Sequence, residues 1–446
     1  MAKPKSARVF SFLSRNFDPL TGTAYLTYRV DDGPELLERM VFPHTPWPAD
    51  PSRQQAFEQA LELLHLMAGV SYWKAGLAPV MEFPAGRPSP LVAGFLAELY
   101  GQGLAEFSYV NQVDVTSRLS FEADPERMAQ AVDLLLPERA LVAMGGGKDS
   151  LVALDMARRS GLEVLPACIG GSALIRNTVS AAKLPLLQIC RELSPQLKIM
   201  NAAGAWNGHV PVTAINSAIL VCAALLYGYR YVIFANERSA DEATLTTADG
   251  KAVNHQYSKS SDFEQAWLNV IHTQISPALD CFSLLRPFSE LDIVRRFTEL
   301  KDFHTVYSSC NRNFHLDGPS ISGRWCGDCP KCRFAALSLA VFLSPQEVVQ
   351  IMGVDLLDDP AQDDGLRELC ALGRDKPFEC VGEMGESRAA LAALAENPDW
   401  RDKALVKKLS PELAGLEIPA LADLLLPAKR HAIPTSLLPQ FKGMIN

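Results

Sequence analysis

Residues Ala140–Met144 read ALVAM and run straight into Gly145-Gly146-Gly147-Lys148-Asp149-Ser150. A short apolar run followed by a glycine-rich turn and then a helical pattern predicts a buried strand, a tight loop and a helix over Ser150–Arg159. Glycines permit positive φ and close backbone approach to an anion. The helix behind them directs its unpaired N–H groups and positive dipole end to the same place. Lys148 and Ser150 add donors, and Asp149 suits a helix cap or a magnesium ligand. The loop therefore predicts phosphate binding by Gly145, Gly146, Gly147, Lys148, Asp149 and Ser150.

Working outward, Glu163–Ile169 and Tyr231–Ala235 are further buried strands, and Ala214–Gly228 (AINSAILVCAALLYG) is a buried helix too short to span a bilayer. This β–α alternation predicts an α/β domain with a doubly wound parallel sheet, whose ligands bind at the carboxyl ends of its strands. It occupies residues 138–343. Residues 1–137 read as an α+β domain, with strands Phe10–Leu13 and Thr23–Val30 around the turn Asp18–Gly22 and a helix over Ala56–Ala68. His65 lies within that helix pattern and reads as a packed residue. Residues 344–446 read as helical, with Arg388–Leu394 and an amphipathic Pro411–Leu426.

Two polar runs belong with the loop. Asn236-Glu237-Arg238-Ser239-Ala240-Asp241-Glu242 follows a buried strand, which puts Asn236, Glu237 and Ser239 at the sheet's carboxyl edge as nucleotide-binding candidates. Gly208-His209-Val210-Pro211 precedes the buried helix. Val253–Ser261 concentrates His255, Tyr257 and Lys259, and Lys376–Glu383 (KPFECVGE) carries Cys380. These four and Cys310 are the acid–base candidates. His304 and His315 flank Cys310, and Arg324 precedes the next cysteines.

Cys310, Cys326, Cys329 and Cys332 follow C-x15-C-x2-C-x2-C. Short CxxC steps let thiolates converge on one tetrahedral ion, and zinc held structurally is the natural reading. An iron–sulfur cluster, or a redox or catalytic Cys310 beside a metal-binding triplet, are the alternatives. The remaining six of the ten cysteines are scattered.

The net charge of −9, with no sustained Lys/Arg run, argues against a nucleic-acid partner. The N-terminal MAKPKSARVF lacks the apolar stretch of a signal peptide, so a cytoplasmic protein with no membrane partner is expected. Nothing in the sequence speaks to oligomeric state.

The loop resembles the PP-loop of ATP pyrophosphatases, Ser-Gly-Gly-x-Asp-Ser, at Gly146, Gly147, Asp149 and Ser150. Gly145 stands in place of the first Ser, which removes one hydroxyl donor. The Cys set resembles the zinc knuckle of PP-loop enzymes that build 7-cyano-7-deazaguanine. With Asn-Gly-His-Val-Pro, Asn-Glu-Arg-Ser-Ala-Asp-Glu, Asn-His-Gln-Tyr-Ser-Lys-Ser, Cys-Gly-Asp-Cys-Pro-Lys-Cys and Lys-Pro-Phe-Glu-Cys-Val-Gly-Glu in that order, the chain resembles the MurL-type UDP-N-acetyl-α-D-muramoyl-L-alanyl-L-glutamate epimerase family. That resemblance implies ATP and Mg²⁺, a UDP-muramyl dipeptide substrate, and conversion of its terminal L-Glu to D-Glu through an acyl-adenylate, with release of AMP and pyrophosphate. Two other readings stand beside it: a PP-loop adenylating enzyme making an amide, nitrile or thio product, and a non-catalytic nucleotide-binding protein.

Overall fold

A computed structural model of the chain describes residues 6–44, 47–247, 250, 252–313, 323–374 and 376–445. Its strands are β1 (Val9–Asp18), β2 (Thr23–Val30), β3 (Leu36–Val41), β4 (Val80–Glu82), β5 (Arg139–Ala143), β6 (Glu163–Ile169), β7 (Leu187–Glu192), β8 (Tyr231–Phe234), β9 (Leu245–Thr246), β10 (Ala252–Val253) and β11 (Asp280–Ser283). Nine form one sheet in the order β11-β8-β5-β6-β7-β3-β2-β1-β4. Its pairs are parallel from β11 to β7 and again between β1 and β4, and antiparallel from β7 to β1. The fold is mixed α/β about a mostly parallel sheet.

The β1–β2 hairpin forms where its turn chemistry places it. Asp18 Oδ1 accepts from Leu20 N at 2.9 Å, Asp18 Oδ2 accepts from Thr21 Oγ1 at 2.7 Å, and Gly22 takes a φ of 65°. The helix predicted over Ala56–Ala68 begins earlier, at Pro51, because Asp50 caps it. His65 is packed in the core, its Nε2 3.2 Å from Thr27 O, and burial brings its pKa down to about 4.

The strands of the first segment continue the sheet of the second. β3 pairs with β7, and a half-buried Arg191 donates from Nε to the buried Glu38 Oε1 at 2.6 Å across that seam. Packing is accordingly organised by sheet face. Leu141, Ala167 and Val232 point into one core with helices Pro51–Ala68 and Val212–Tyr227. Their strand neighbours Val142, Cys168 and Ile233 point into the other, with helices Lys148–Arg159, Glu290–Thr298 and Pro330–Ala340.

Residues beyond 344 contain no strand among those described, and Met384–Glu396 covers the predicted Arg388–Leu394. Pro411–Leu426 is not one helix. It divides into Ser410–Leu413 and Leu421–Leu424, because Gly415 adopts a φ of 80° and Pro419 follows. Among the described residues, no helix is long and apolar enough to cross a membrane.

Candidate active site

The chain runs from β5 outward through β6 and β7, then returns to β8 on the other side of β5. That reversal is where an open α/β sheet leaves a crevice at its strands' carboxyl ends. A cavity of about 360 Å³ lies there, bordered by the loops after β5 and β8.

The glycine loop is shorter than its sequence suggests. The helix starts at Lys148, so Gly145–Gly147 alone make the turn. Gly146 sits at a φ of 77°, a Cβ on Gly145 would meet nothing within 4 Å, and Ser150 Oγ donates to Gly147 O at 3.0 Å. Lys148 lies buried against Asp149 Oδ1, at 2.5 Å, and against Glu290 Oε2. Burial opposes its charge, but the carboxylates of Asp149 and Glu290 outweigh that and raise its pKa. Burial and its acidic neighbours raise the pKa of Glu290 and of Glu237 as well. Among the described residues Glu237 Oε2 is buried with no hydrogen-bond partner. A buried carboxylate oxygen left unpaired beside two further carboxylates is a place that suits a cation.

Asn236 and Glu237 line the cavity, and Ser239 is buried behind them. Arg286, itself buried, fixes this edge. Its Nη1 donates to Glu237 O at 2.7 Å, its Nη2 donates to Lys259 O at 2.5 Å, and it forks onto Glu264.

At the far end of the cavity Lys259 Nζ donates to Cys380 Sγ at 2.9 Å. Burial would raise the Cys380 pKa, but the charges of Lys259 and Lys331 bring it below its ordinary value. His255 Nε2 lies 3.9 Å from the same sulfur, and its Nδ1 lies 2.8 Å from Thr244 Oγ1. Burial, with Lys259, holds His255 down to about 4. Cys380, distant in the chain, thus joins Lys259 and His255 in one cluster. Tyr257 turns away from it, packing on Phe263 and facing Glu98, and burial raises its pKa.

The four sulfurs of Cys310, Cys326, Cys329 and Cys332 lie within 4.8 Å of one another. Cys326 Sγ and Cys329 Sγ are 3.8 and 3.5 Å from Cys332 Sγ. A tetrahedral Zn(Cys)₄ centre with Zn–S near 2.3 Å needs sulfur separations of about 3.8 Å, so the donor set fits zinc. Cys310 joins the triplet despite its distance in sequence and does not line the cavity. The cluster's two arms do reach it: Ser308 and Ser309 precede Cys310, and Lys331 precedes Cys332. Arg324 braces one arm by donating from Nη1 to His304 O and Tyr307 O, each at 3.0 Å. His304 is held at Phe297 O, 3.2 Å away, and His315 lies outside the described residues.

The model of the MurL N-terminal domain matches residues 1–284, and that of the MurL C-terminal domain matches residues 306–422. The chain belongs to the MurL family. A UDP-N-acetyl-alpha-D-muramoyl-L-alanyl-L-glutamate epimerase of Xanthomonas oryzae pv. oryzae is 42% identical over 96% of this chain and 95% of its own. Proteins of the same name from Salinispora tropica and a Micromonospora species are 41% and 40% identical, over 90% and 95% of this chain and 88% and 96% of theirs. The N-terminal family domain ends just after β11, so it takes in both the glycine loop and the Lys259 segment. The C-terminal one brings the cysteine cluster and Cys380.

Glu290, Arg286, Ser309 and Lys331 escaped the sequence reading. The first two follow β11, whose four residues DCFS carry too little periodicity to mark a strand. With that strand recognised, its carboxyl-end loop would have pointed to Arg286 and Glu290.

Proposed function

We propose that the chain is a cytoplasmic, ATP-dependent epimerase of peptidoglycan precursor synthesis, inverting the terminal L-Glu of UDP-N-acetylmuramoyl-L-alanyl-L-glutamate to D-Glu. The observation that carries this is one cavity joining the glycine loop before a helix N-terminus to a lysine–cysteine pair. The relatives' names supply the substrate, and the sheet with its glycine loop supports a PP-loop type of nucleotide domain.

The α-hydrogen of a free carboxylate is hard to remove, because a second negative charge would form on an existing anion. Adenylating the carboxylate cancels the first charge and lets the carbonyl oxygen accept the second as an enolate. Gly145–Gly147 and the first turn of Lys148–Arg159 hold the phosphates by backbone N–H groups and helix dipole. Ile169, Ile175 and Leu220 offer an apolar wall for the purine. Asp149, Glu237 and Glu290 would hold Mg²⁺, which when bound supplies positive charge to the departing pyrophosphate. Cys380, whose pKa Lys259 lowers, takes the α-proton as its thiolate. Cys310, Cys326, Cys329 and Cys332 would hold zinc, whose role is to keep Ser309 and Lys331 at the cavity.

The test is deuterium incorporation at the glutamate Cα in D₂O. It should require ATP, accompany pyrophosphate release, and leave a product unchanged in composition. Equal exchange without ATP sinks adenylation, and a product gaining nitrogen or sulfur redirects the assignment to amide or thiol transfer.

A further inference from the structure

Inversion needs two proton-transfer groups. A base that removes a proton from one face of a carbon returns it to that same face, so Cys380 alone exchanges the proton without inverting the centre. Beyond Cys380 lies a second acid–base pair that the reading above leaves unused. His209 Nδ1 is 3.3 Å from Glu106 Oε2. The His209 ring lies 6.4 Å from the ring of His255, which in turn reaches to within 3.9 Å of Cys380 Sγ. Imidazole and thiol, carried on different elements, are therefore both neighbours of the His255 ring.

The imidazole is firmly placed. Asn207 Oδ1 accepts from Lys74 Nζ and from Gly208 N, each at 3.0 Å, and Asn207 O accepts from Asn111 Nδ2 at 3.4 Å. Gly208 takes a φ of 152°, and a Cβ there would sit 3.0 Å from the Phe107 ring. Only glycine lets this turn press against helix Ala105–Asn111, which carries Glu106. Burial, reinforced by Glu379 and Cys380, pushes the Glu106 carboxyl up to about 7, while burial with His255 and Lys259 holds His209 down to about 4. Between about pH 4 and 7 the shared proton therefore rests on Glu106 rather than on His209.

We propose that His209, oriented by Glu106, is the second proton-transfer group of the epimerisation, acting on the face of the glutamyl Cα away from Cys380. This rests on the function proposed above. The Cys380 thiolate takes the α-proton, forming S–H, and the C–H electron pair moves into the enolate. Collapse of the enolate takes a proton from His209 Nε2 and forms the new C–H bond. His209 Nδ1 takes the Glu106 proton as Nε2 gives up its own, so the imidazole stays neutral and Glu106 is left ionised. Exchange with solvent returns the proton to Glu106 and frees that on Cys380. The first segment of the chain thereby supplies part of the catalytic machinery, with Glu106 as the positioning residue.

The experiment incubates the full chain with ATP and UDP-N-acetylmuramoyl-L-alanyl-L-glutamate in D₂O and measures D-epimer formation and deuterium in the recovered L-epimer separately. His209→Asn should cut D-epimer formation about 10²-fold or more while the L-epimer still gains deuterium through Cys380. Glu106→Gln, which keeps a hydrogen-bonding side chain, should slow inversion less and flatten its decline at alkaline pH. The proposal is overturned if His209→Asn inverts within a few-fold of the unaltered chain. It is equally overturned if both variants lose L-epimer exchange as severely as inversion. Absence of ATP-dependent exchange in the unaltered chain would instead sink the adenylation reading, so the two failures are separable.

Discussion

Arg286→Met separates what holds the site from what performs its chemistry. The guanidinium is 1% exposed as a side chain and donates to Glu264 Oε2 from Nε at 3.1 Å and from Nη2 at 2.7 Å. Two more of its bonds go to the backbone oxygens of Glu237 and Lys259, one from each half of the site. Removing one partner of such a buried pair costs about 3–5 kcal/mol, because the remaining carboxylate is left uncompensated. At about 2.1 cal/mol/K of unfolding entropy per residue, the 446 residues give roughly 0.9 kcal/mol/K. Arg286→Met should therefore lower Tm by about 3–5 °C in a thermal unfolding assay. Adding Glu264→Gln removes the stranded charge yet keeps an acceptor for Ser283 N, which now donates to Glu264 Oε1 at 3.0 Å. The double variant should recover most of the Tm but not the turnover, since Glu237 and Lys259 remain untethered. An unchanged Tm in the single variant, or turnover restored together with Tm in the double, refutes the reasoning.

Asp149→Ala should abolish pyrophosphate release while circular dichroism stays unchanged; full activity would remove Asp149 from the site. Gly146→Ala forces a side chain into a φ of 77° with its Cβ 3.2 Å from Ile175 Cγ1. That strain of about 1–2 kcal/mol should weaken ATP binding roughly tenfold by calorimetry, and unaltered affinity would contradict the loop's role. Metal analysis of the purified chain should find zinc, which Cys332→Ser should release along with a fall in Tm; a Tm insensitive to that change would leave the cluster without a structural role. Inversion needs Cys380 ionised and Glu106 protonated. Its rate should rise with pH through the thiol pKa, which burial raises but Lys259 and Lys331 bring below the ordinary value. It should fall again at alkaline pH as Glu106, whose pKa burial brings up to about 7 and which faces His209, Glu379 and Cys380, loses its proton. A rate still climbing at pH 9 would contradict the role of Glu106.

Much of the fold is legible in local pattern. ALVAM, EVLPACI and YVIFA become strands because runs of this kind are buried on both faces of a parallel sheet. The hairpin at Asp18–Gly22 follows from side chains that bond their own backbone. Shorter or more polar strands stay hidden: β7 (LQICRE) and β11 (DCFS) owe their conformation to neighbours that no local window contains. Pro411–Leu426 shows the converse, an apolar spacing cut by one glycine and one proline.

For the site, the sequence by itself determined which groups are on offer: a glycine-rich loop between strand and helix, four cysteines at CxxC-type spacing, and a set of ionisable side chains. It also determined where the loop must lie, because a strand–glycine–helix order can place an anion only at the strand's carboxyl end. Only the tertiary structure decided which side chains meet. Lys259 and Cys380 are 121 positions apart, and Lys148 and Glu290 are 142 apart. Tyr257, two residues from Lys259, faces the other way. Contacts at such separations depend on strand order and helix packing, and their consequences for charge depend on burial. The Cys380 thiol, which burial alone would push up, falls below its ordinary pKa only because the fold sets Lys259 and Lys331 beside it, and the Glu106 carboxyl is pushed up to about 7 only because the fold excludes water around it.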